Sequence, residues 1–326
     1  MKFKLLKGYV FVIISAVIFG CMPLMAKHIY ADGVNSISLV FMRNLFSLPV
    51  LAALSLWENR SLKIAPKNLP RVGIVSIFGY VLTPYLLFTS YDYMDSGAAT
   101  VLHFVYPVAV ILIELIFFRK GLSLGGIIGL SLFTVGLPLF YTPGVQIGLI
   151  GSIIAIVSGI TYAIYIVLIG KLKPENGGFT FSFYLAIFAT VTLFIIALAT
   201  GKLSLPKSPL AWILSVTFGI LVNGGAMMLF QRGTFIIGSS KAALISAMEP
   251  VTSLLVGAMF LSEHVGILAI VGSALLIGSS VAIAVLDKKK KSGCPDPTAE
   301  DHPMPQHTEE NPEATPDNKA ENARLC

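Results

Sequence analysis

Residues 239–261 read SSKAALISAMEPVTSLLVGAMFL, and this stretch decides the fold. It is apolar enough and long enough to cross a bilayer as a helix, since about 20 residues at 1.5 Å each span a hydrocarbon core of about 30 Å. Yet near its middle it carries an acid followed by a proline, Glu249-Pro250. Such a pair is costly inside lipid, so it is expected to face protein or a water-filled cavity. Residues 96–118 read SGAATVLHFVYPVAVILIELIFF and repeat the pattern at an offset of 143 residues. Pro107-Val108 falls on Pro250-Val251, Ser96 on Ser239, Ala99 on Ala242 and Phe117 on Phe260.

The same offset carries outward without a gap. Gly8 meets Gly151, Ser15 meets Ser158, Pro66 meets Pro209 and Gly129 meets Gly272. Leu and Val coincide cheaply in an apolar chain, whereas Pro and Gly do not. The spans are placed near 8–29, 34–56, 70–91, 97–118, 122–141, 147–170, 179–200, 209–231, 239–261 and 265–286. Each half therefore holds five, an odd number, and the second half must enter the membrane from the opposite face. The expected fold is an all-α polytopic membrane protein, with ten transmembrane helices in two inverted five-helix repeats. The first repeat is assigned to 5–141 and the second to 147–287, with a basic anchor and tail over 288–326. Inverted repeats recur in secondary transporters, which bind cargo near the midplane at the repeat interface.

Composition agrees. Of the 326 residues 55% are hydrophobic and 12% charged, about half the charged share of a soluble domain. Mean hydropathy is +0.82. No alternating ten-residue pattern suggests a transmembrane barrel. The net charge of +6 resides in short connections with no aromatic interleaving, so it reports topology rather than nucleic-acid binding. Lys2, Lys4, Lys7, Arg60, Lys63, Lys67, Arg71, Arg119, Lys120, Lys171, Lys173, Arg232, Lys241 and Lys288 to Lys291 fall on one side. The other side holds only Lys27, Lys202 and Lys207. By the positive-inside rule both termini are cytoplasmic, and a multi-pass protein of the cell membrane is expected.

Residues 292–326 are Pro-rich, acidic and nearly without apolar side chains, a composition expected to stay disordered. Cys21, Cys294 and Cys326 are isolated and suggest neither a disulfide framework nor a metal site. No Walker loop, Gly-x-Ser-x-Gly or paired metal-spaced histidines occur, so neither an enzyme nor ATP-driven transport is expected. No cofactor is expected. The expected partners are a small-molecule substrate and the bilayer; monomer and homodimer both fit.

Several quoted stretches resemble the drug/metabolite transporter superfamily, and within it the ten-helix EamA type. They are Phe19-Gly20 followed by Lys27, Phe41-Met42-Arg43-Asn44, and Ala242 to Val251 closing on Leu261-Ser262-Glu263. The first repeat departs from the family pattern, with Tyr106-Pro107 for Glu-Pro and Arg119-Lys120 for the acidic end. The resemblance covers about residues 5–287. It implies ten helices around a central cavity, with amino-acid or metabolite efflux by alternating access as the leading function. Uptake of a cationic nutrient, or a non-transporting sensor or scaffold working through the tail, are the rivals.

The residues able to carry a mechanism are few. Glu249 lies about 15 Å into its span and reads either as a cavity acid for a cation or coupling proton, or as half of a structural ion pair. Arg43 needs a carboxylate, carbonyls or an anionic cargo, and Glu249 and Glu114 are its candidate partners. Pro250 and Pro107 should leave the carbonyls of Ser246 and His103 free, four residues upstream of each. His103 reads as a packed core histidine or a proton relay. Asn223 lines the cavity or bonds a neighbouring helix. Tyr106, with Tyr80, Tyr85, Tyr162, Tyr165 and Tyr184, could pack between helices or cage a cation.

Overall fold

The computed structural model describes residues 2–59, 61–94, 96–119, 121–140, 148–172, 177–260 and 266–290. The expected disordered tail, 292–326, lies outside the described residues, as does Asp95. Among the described residues the chain is helical and no strand occurs. Among the described residues nine helices are long and apolar enough to cross a membrane, and a tenth is shorter. The first half contains α1 (Leu5–Ala31), α2 (Ser36–Glu58), α3 (Pro66–Ser90), α4 (Ala98–Phe118) and the shorter α5 (Leu124–Leu139). The second half contains α6 (Leu149–Lys171), α7 (Gly178–Ala199), α8 (Pro209–Ile237), α9 (Ser239–Phe260) and α10 (Ile267–Leu286).

The packing follows the repeat. The most extensive pairings are α2 on α7 and α5 on α10, each joining a helix to its own counterpart. Helix α1 packs on α8 and α9, and its counterpart α6 packs on α3 and α4. Exchanging the halves therefore exchanges these pairings with one another. Lipid tails supply no hydrophobic drive between helices, so close approach depends on small residues at the seams. At the α1–α8 seam a Cβ on Gly233 would collide with the Val12 side chain and stand 3.0 Å from the carbonyl oxygen of Gly8, so a larger residue would push the two helices apart. Outward-facing side chains such as Ile116, Phe117 and Ile267 are large, apolar and exposed, as a lipid-facing surface requires.

Three helices are broken and two are locally widened. Helix α4, whose first turn begins two residues ahead of the span at Ser96, divides into Ser96–His103 and Tyr106–Phe118, and α9 into Ser239–Ile245 and Met248–Phe260. Both breaks lie just upstream of the paired prolines, which lack the N–H that would continue the ladder. Helix α1, read from sequence as one uninterrupted span, is instead interrupted at Cys21, where Pro23 opens the segment Met22–Ala31. Its counterpart α6 has no proline there and runs unbroken from Leu149 to Lys171. Helices α3 and α8 carry π-helical turns at corresponding places, Ile77–Leu82 and Gly219–Met227. In α3 the wide turn precedes Pro84, which removes the donor for the Tyr80 carbonyl. The Asn44 side-chain amide approaches that carbonyl instead, at a long 3.4 Å.

One expectation is corrected by these breaks. The Ser246 carbonyl, expected to be freed by Pro250, accepts the backbone N–H of Glu249 at 2.9 Å. The chain tightens to an i→i+3 turn at the break, which satisfies the carbonyl locally. The matching His103 carbonyl faces Gly159 of α6, close enough that a Cβ there would collide with it.

Candidate functional site

A small cavity opens among the broken helices. It is lined by Phe19 and Met22 at the α1 break, Arg43 of α2, and Gly79, Thr83, Pro84, Leu87 and Phe88 of α3. His103 of α4, Tyr162 of α6, Met227 of α8 and Glu249 of α9 complete it. Both repeats contribute. The lining residues of α1 to α4 all lie in the halves of their helices that lead to the connections at 32–35 and 91–97.

Three of the expected site residues, Arg43, His103 and Glu249, converge on this cavity. Arg43 is only 4% exposed, and its Nε and Nη2 have no hydrogen-bond partner among the described residues. Arg43 and Glu249 form no ion pair with each other, although both line the cavity. Glu114, the other partner expected for Arg43, accepts a hydrogen bond from the hydroxyl of Ser240. An unpaired buried charge costs several kcal/mol, so a structural ion pair does not explain this arginine.

His103 is buried, with Nδ1 2.6 Å from the Ser158 hydroxyl. Its ring lies 5.5 Å from Tyr162 and 5.4 Å from Tyr106, centroid to centroid. Tyr106 and Ser246 are not on the cavity wall. Their hydroxyls meet 2.5 Å apart behind it, and Ser246 also donates to the Ala243 carbonyl at 2.8 Å. Asn223 is fully buried and turns its amide nitrogen to Asn44 Oδ1 at 2.7 Å, tying α8 to α2. Of the tyrosines, Tyr80, Tyr106 and Tyr165 are fully buried, Tyr162 lines the cavity, and Tyr85 and Tyr184 are partly buried.

Two polar residues escaped the sequence reading. Asn44 stands beside Arg43 in an apolar span, which was the available signal. Gln231 was taken as the end of the eighth span, but α8 continues to Ile237 and buries it completely. Its amide donates to the hydroxyls of Tyr80 at 2.7 Å and Tyr165 at 2.9 Å, and its oxygen accepts from Ser182 at 2.6 Å. This network joins α3, α6, α7 and α8 through one side chain.

The connections on either side are also tied. At one end Asp32 accepts the backbone N–H groups of Lys207 and of Ser208, the latter at 3.0 Å. The Ser208 bond, then the Lys207 bond, hold its carboxyl below the usual aspartate range. Beside it Asn35 donates to the Lys202 carbonyl at 2.6 Å, and the Ser204 N–H donates to Ser38 at 2.8 Å. Desolvation raises the carboxyl of Asp92 in the connection after α3. At the opposite end Glu58 pairs with Arg232, which also stacks 3.8 Å over the Phe179 ring. Among the described residues no cluster of three His, Cys, Asp or Glu side chains has metal-binding geometry.

The model of the EamA-like transporter family matches residues 6–142 and again 149–285. The chain belongs to the EamA-like transporter family. Membership places it in the drug/metabolite transporter superfamily, and the two matched segments are the two halves exchanged by the packing symmetry. An uncharacterized transporter of Archaeoglobus fulgidus is 22% identical over 276 residues, covering 83% of this chain and 93% of its own length. The uncharacterized transporter YcbK of Bacillus subtilis is 24% identical over 81% of this chain and 88% of its own. A WAT1-related protein of Arabidopsis thaliana is 26% identical, covering 83% of this chain and 87% of its own. One crystal structure superposes with a TM-score of 0.71 at 17% identity, covering 88% of this chain and 99% of that one. At that identity the likeness shows the fold.

Proposed function

We propose that this EamA-family membrane transporter is a gradient-driven carrier of small polar metabolites working by alternating access, with amino-acid or metabolite efflux as its direction. The observation that carries the reading is a cavity between the repeats faced by Arg43 and Glu249, which do not neutralise each other. Charged groups in a transmembrane cavity mark cargo or coupling-ion paths by default. The paired breaks in α4 and α9 support it, because broken helices at a repeat interface are where such carriers place their sites. Both termini are assigned to the cytoplasm from the charge bias, so the cavity leads toward the outer face. In this state the Tyr106–Ser246 contact and the Gln231 network lie on its inner side, and their opening would admit cargo from within.

The test is exchange in proteoliposomes. Protein-dependent flux of a panel of amino acids, amines and small organic acids, under imposed proton or sodium gradients, should appear in the intact protein and collapse in Glu249→Gln. Uptake of a cationic nutrient is the second reading, favoured by Glu249 and the Tyr162 ring sharing the cavity wall. It predicts flux of amines that carry no acid group. A panel-wide absence of flux from folded protein under every gradient would overturn the carrier reading.

A further inference from the structure

We propose that in the opposite-facing state of this carrier the Glu249 carboxyl and the His103 imidazole meet in a hydrogen bond that closes the cavity between α4 and α9. The inference rests on the carrier reading and deepens it by naming the contact that shuts the mouth.

The two halves of α4 and α9 are packed unequally. Ser239–Ile245 of α9 lies against Tyr106–Phe118 of α4, and within that seam Tyr106 Oη stands 2.5 Å from Ser246 Oγ. The offset of 143 residues maps this seam onto the other halves, Ser96–His103 of α4 and Met248–Phe260 of α9. Among the described residues no comparable packing joins those two segments. The cavity reaches between them instead, with His103 and Glu249 both on its wall.

An inverted repeat makes the two facing states images of one another, each half adopting in one state the arrangement its counterpart holds in the other. In the opposite state the open seam closes as the packed one is closed now. Tyr106 maps onto Glu249 and Ser246 maps onto His103. The contact that corresponds to Tyr106–Ser246 is therefore Glu249–His103.

The chemistry of the pair fits. His103 engages the Ser158 hydroxyl through Nδ1 at 2.6 Å. Among the described residues its Nε2 and the Glu249 carboxyl oxygens have no hydrogen-bond partner, and they are not sealed from the cavity. Either protonation arrangement makes the bond. An Nε2–H donates to a carboxylate, and a bare Nε2 accepts from a carboxylic acid. The aromatic cover is also in place: the Tyr162 ring, T-shaped and 4.8 Å from Tyr106 at the packed seam, maps onto Phe19 of the cavity wall. The carrier thus has two unlike gates, a pair of hydroxyls on the inner side and an acid with an imidazole on the outer.

The test uses the full chain with Cys21→Ser, Cys294→Ser and Cys326→Ser, carrying one of two added cysteine pairs. The first pair is Tyr106→Cys with Ser246→Cys, and the second is His103→Cys with Glu249→Cys. Each is bridged in detergent by a short, reducible bifunctional thiol reagent, and amide hydrogen exchange is compared with the unbridged protein. The first bridge should leave the exchange pattern as it was. The second should slow exchange severalfold over 96–103 and 248–256 and speed it over 106–113 and 239–245, with reduction reversing both. Adding Tyr106→Phe, which weakens the inner seam, should raise the yield of the second bridge. If the second pair does not fold, Glu249→His carries the test, because zinc held between it and His103 should produce the same exchange pattern and should not in Glu249→Gln. A second bridge that never forms, or that forms while the outer seam exchanges as before, overturns the proposal, as does a folded Glu249→His protein whose exchange zinc leaves unchanged. Proteoliposome flux of the unsubstituted protein separates the two claims. Flux without this closure removes the contact and leaves the carrier, whereas closure without flux under any gradient leaves a two-state protein and removes the carrier.

Discussion

Tyr106 Oη stands 2.5 Å from Ser246 Oγ, joining α4 to α9 between the two helix breaks. The two partners are not equivalent under the repeat. Ser246 corresponds to His103, and Tyr106 corresponds to Glu249, at the common offset of 143 residues. The repeat therefore places four chemically different side chains at two symmetry-related positions. One pair closes on itself, while His103 and Glu249 line the cavity.

Tyr106→Phe removes one hydrogen bond and leaves Ser246 bonded to the Ala243 carbonyl. A loss of about 1 kcal/mol of stability is expected. If this contact must break for the inner side to open, the exchange rate in proteoliposomes should rise while cargo affinity stays constant. A slower exchange would remove the contact from the gating pathway.

Glu249→Gln should fold normally. Because Arg43 does not pair with Glu249, the change orphans no buried guanidinium, and the 3–5 kcal/mol penalty of breaking a buried pair should not appear. Melting in detergent checks the first point and gradient-driven flux, expected to collapse, checks the second. A stable variant with full flux at every external pH would strip Glu249 of any role in coupling.

Gly79 lies in the π-helical turn of α3, where an added Cβ would collide with the Tyr165 ring. Gly79→Ala should cost about 1–3 kcal/mol through overpacking and displace the Tyr165 hydroxyl from Gln231. Gly73→Ala is the control, since its Cβ would rest 3.6 Å from Phe188 in ordinary contact. Comparable melting of the two variants would show that the π turn yields easily.

Asp32 tests the clamp between the first connection and the start of α8. Its carboxyl is depressed in the folded protein, so its contribution is complete above the ordinary aspartate value of about 3.9 and fades as pH falls through the lower folded value. Asp32→Ala should therefore melt below the wild type at neutral pH, with the difference closing in acid. A difference that persists unchanged at low pH would mean the carboxylate charge is not what holds the loop.

Orientation has its own measurement. On a Cys-free background, Tyr93→Cys in the exposed connection after α3 should react with an impermeant thiol reagent added to intact cells. Lys63→Cys should not. The reverse pattern would invert the topology and place the cavity mouth in the cytoplasm.

The ten apolar stretches, the repeat at 143 residues and the acid–proline pair were legible in the sequence for a direct reason. Lipid tolerates neither unpaired backbone nor loops, so span length and punctuation are forced on the chain locally. The prolines likewise announced the breaks in α4 and α9, and Pro23 could have announced that in α1. Charge needed more. Sequence placed Arg43 and Glu249 at mid-depth and offered them as partners, but whether two buried charges meet depends on how helices rotate and cross, which no single span encodes. Gln231 was missed because hydropathy beside Arg232 mimics a helix end. Only packing against α3, α6 and α7 turns it into a buried junction for three hydroxyls. The sequence by itself determined the helices and their duplication, because those obey the solvent. The tertiary structure decided which polar groups satisfy one another and left Arg43 unsatisfied, because hydrogen-bond pairing depends on distances between helices far apart in the chain.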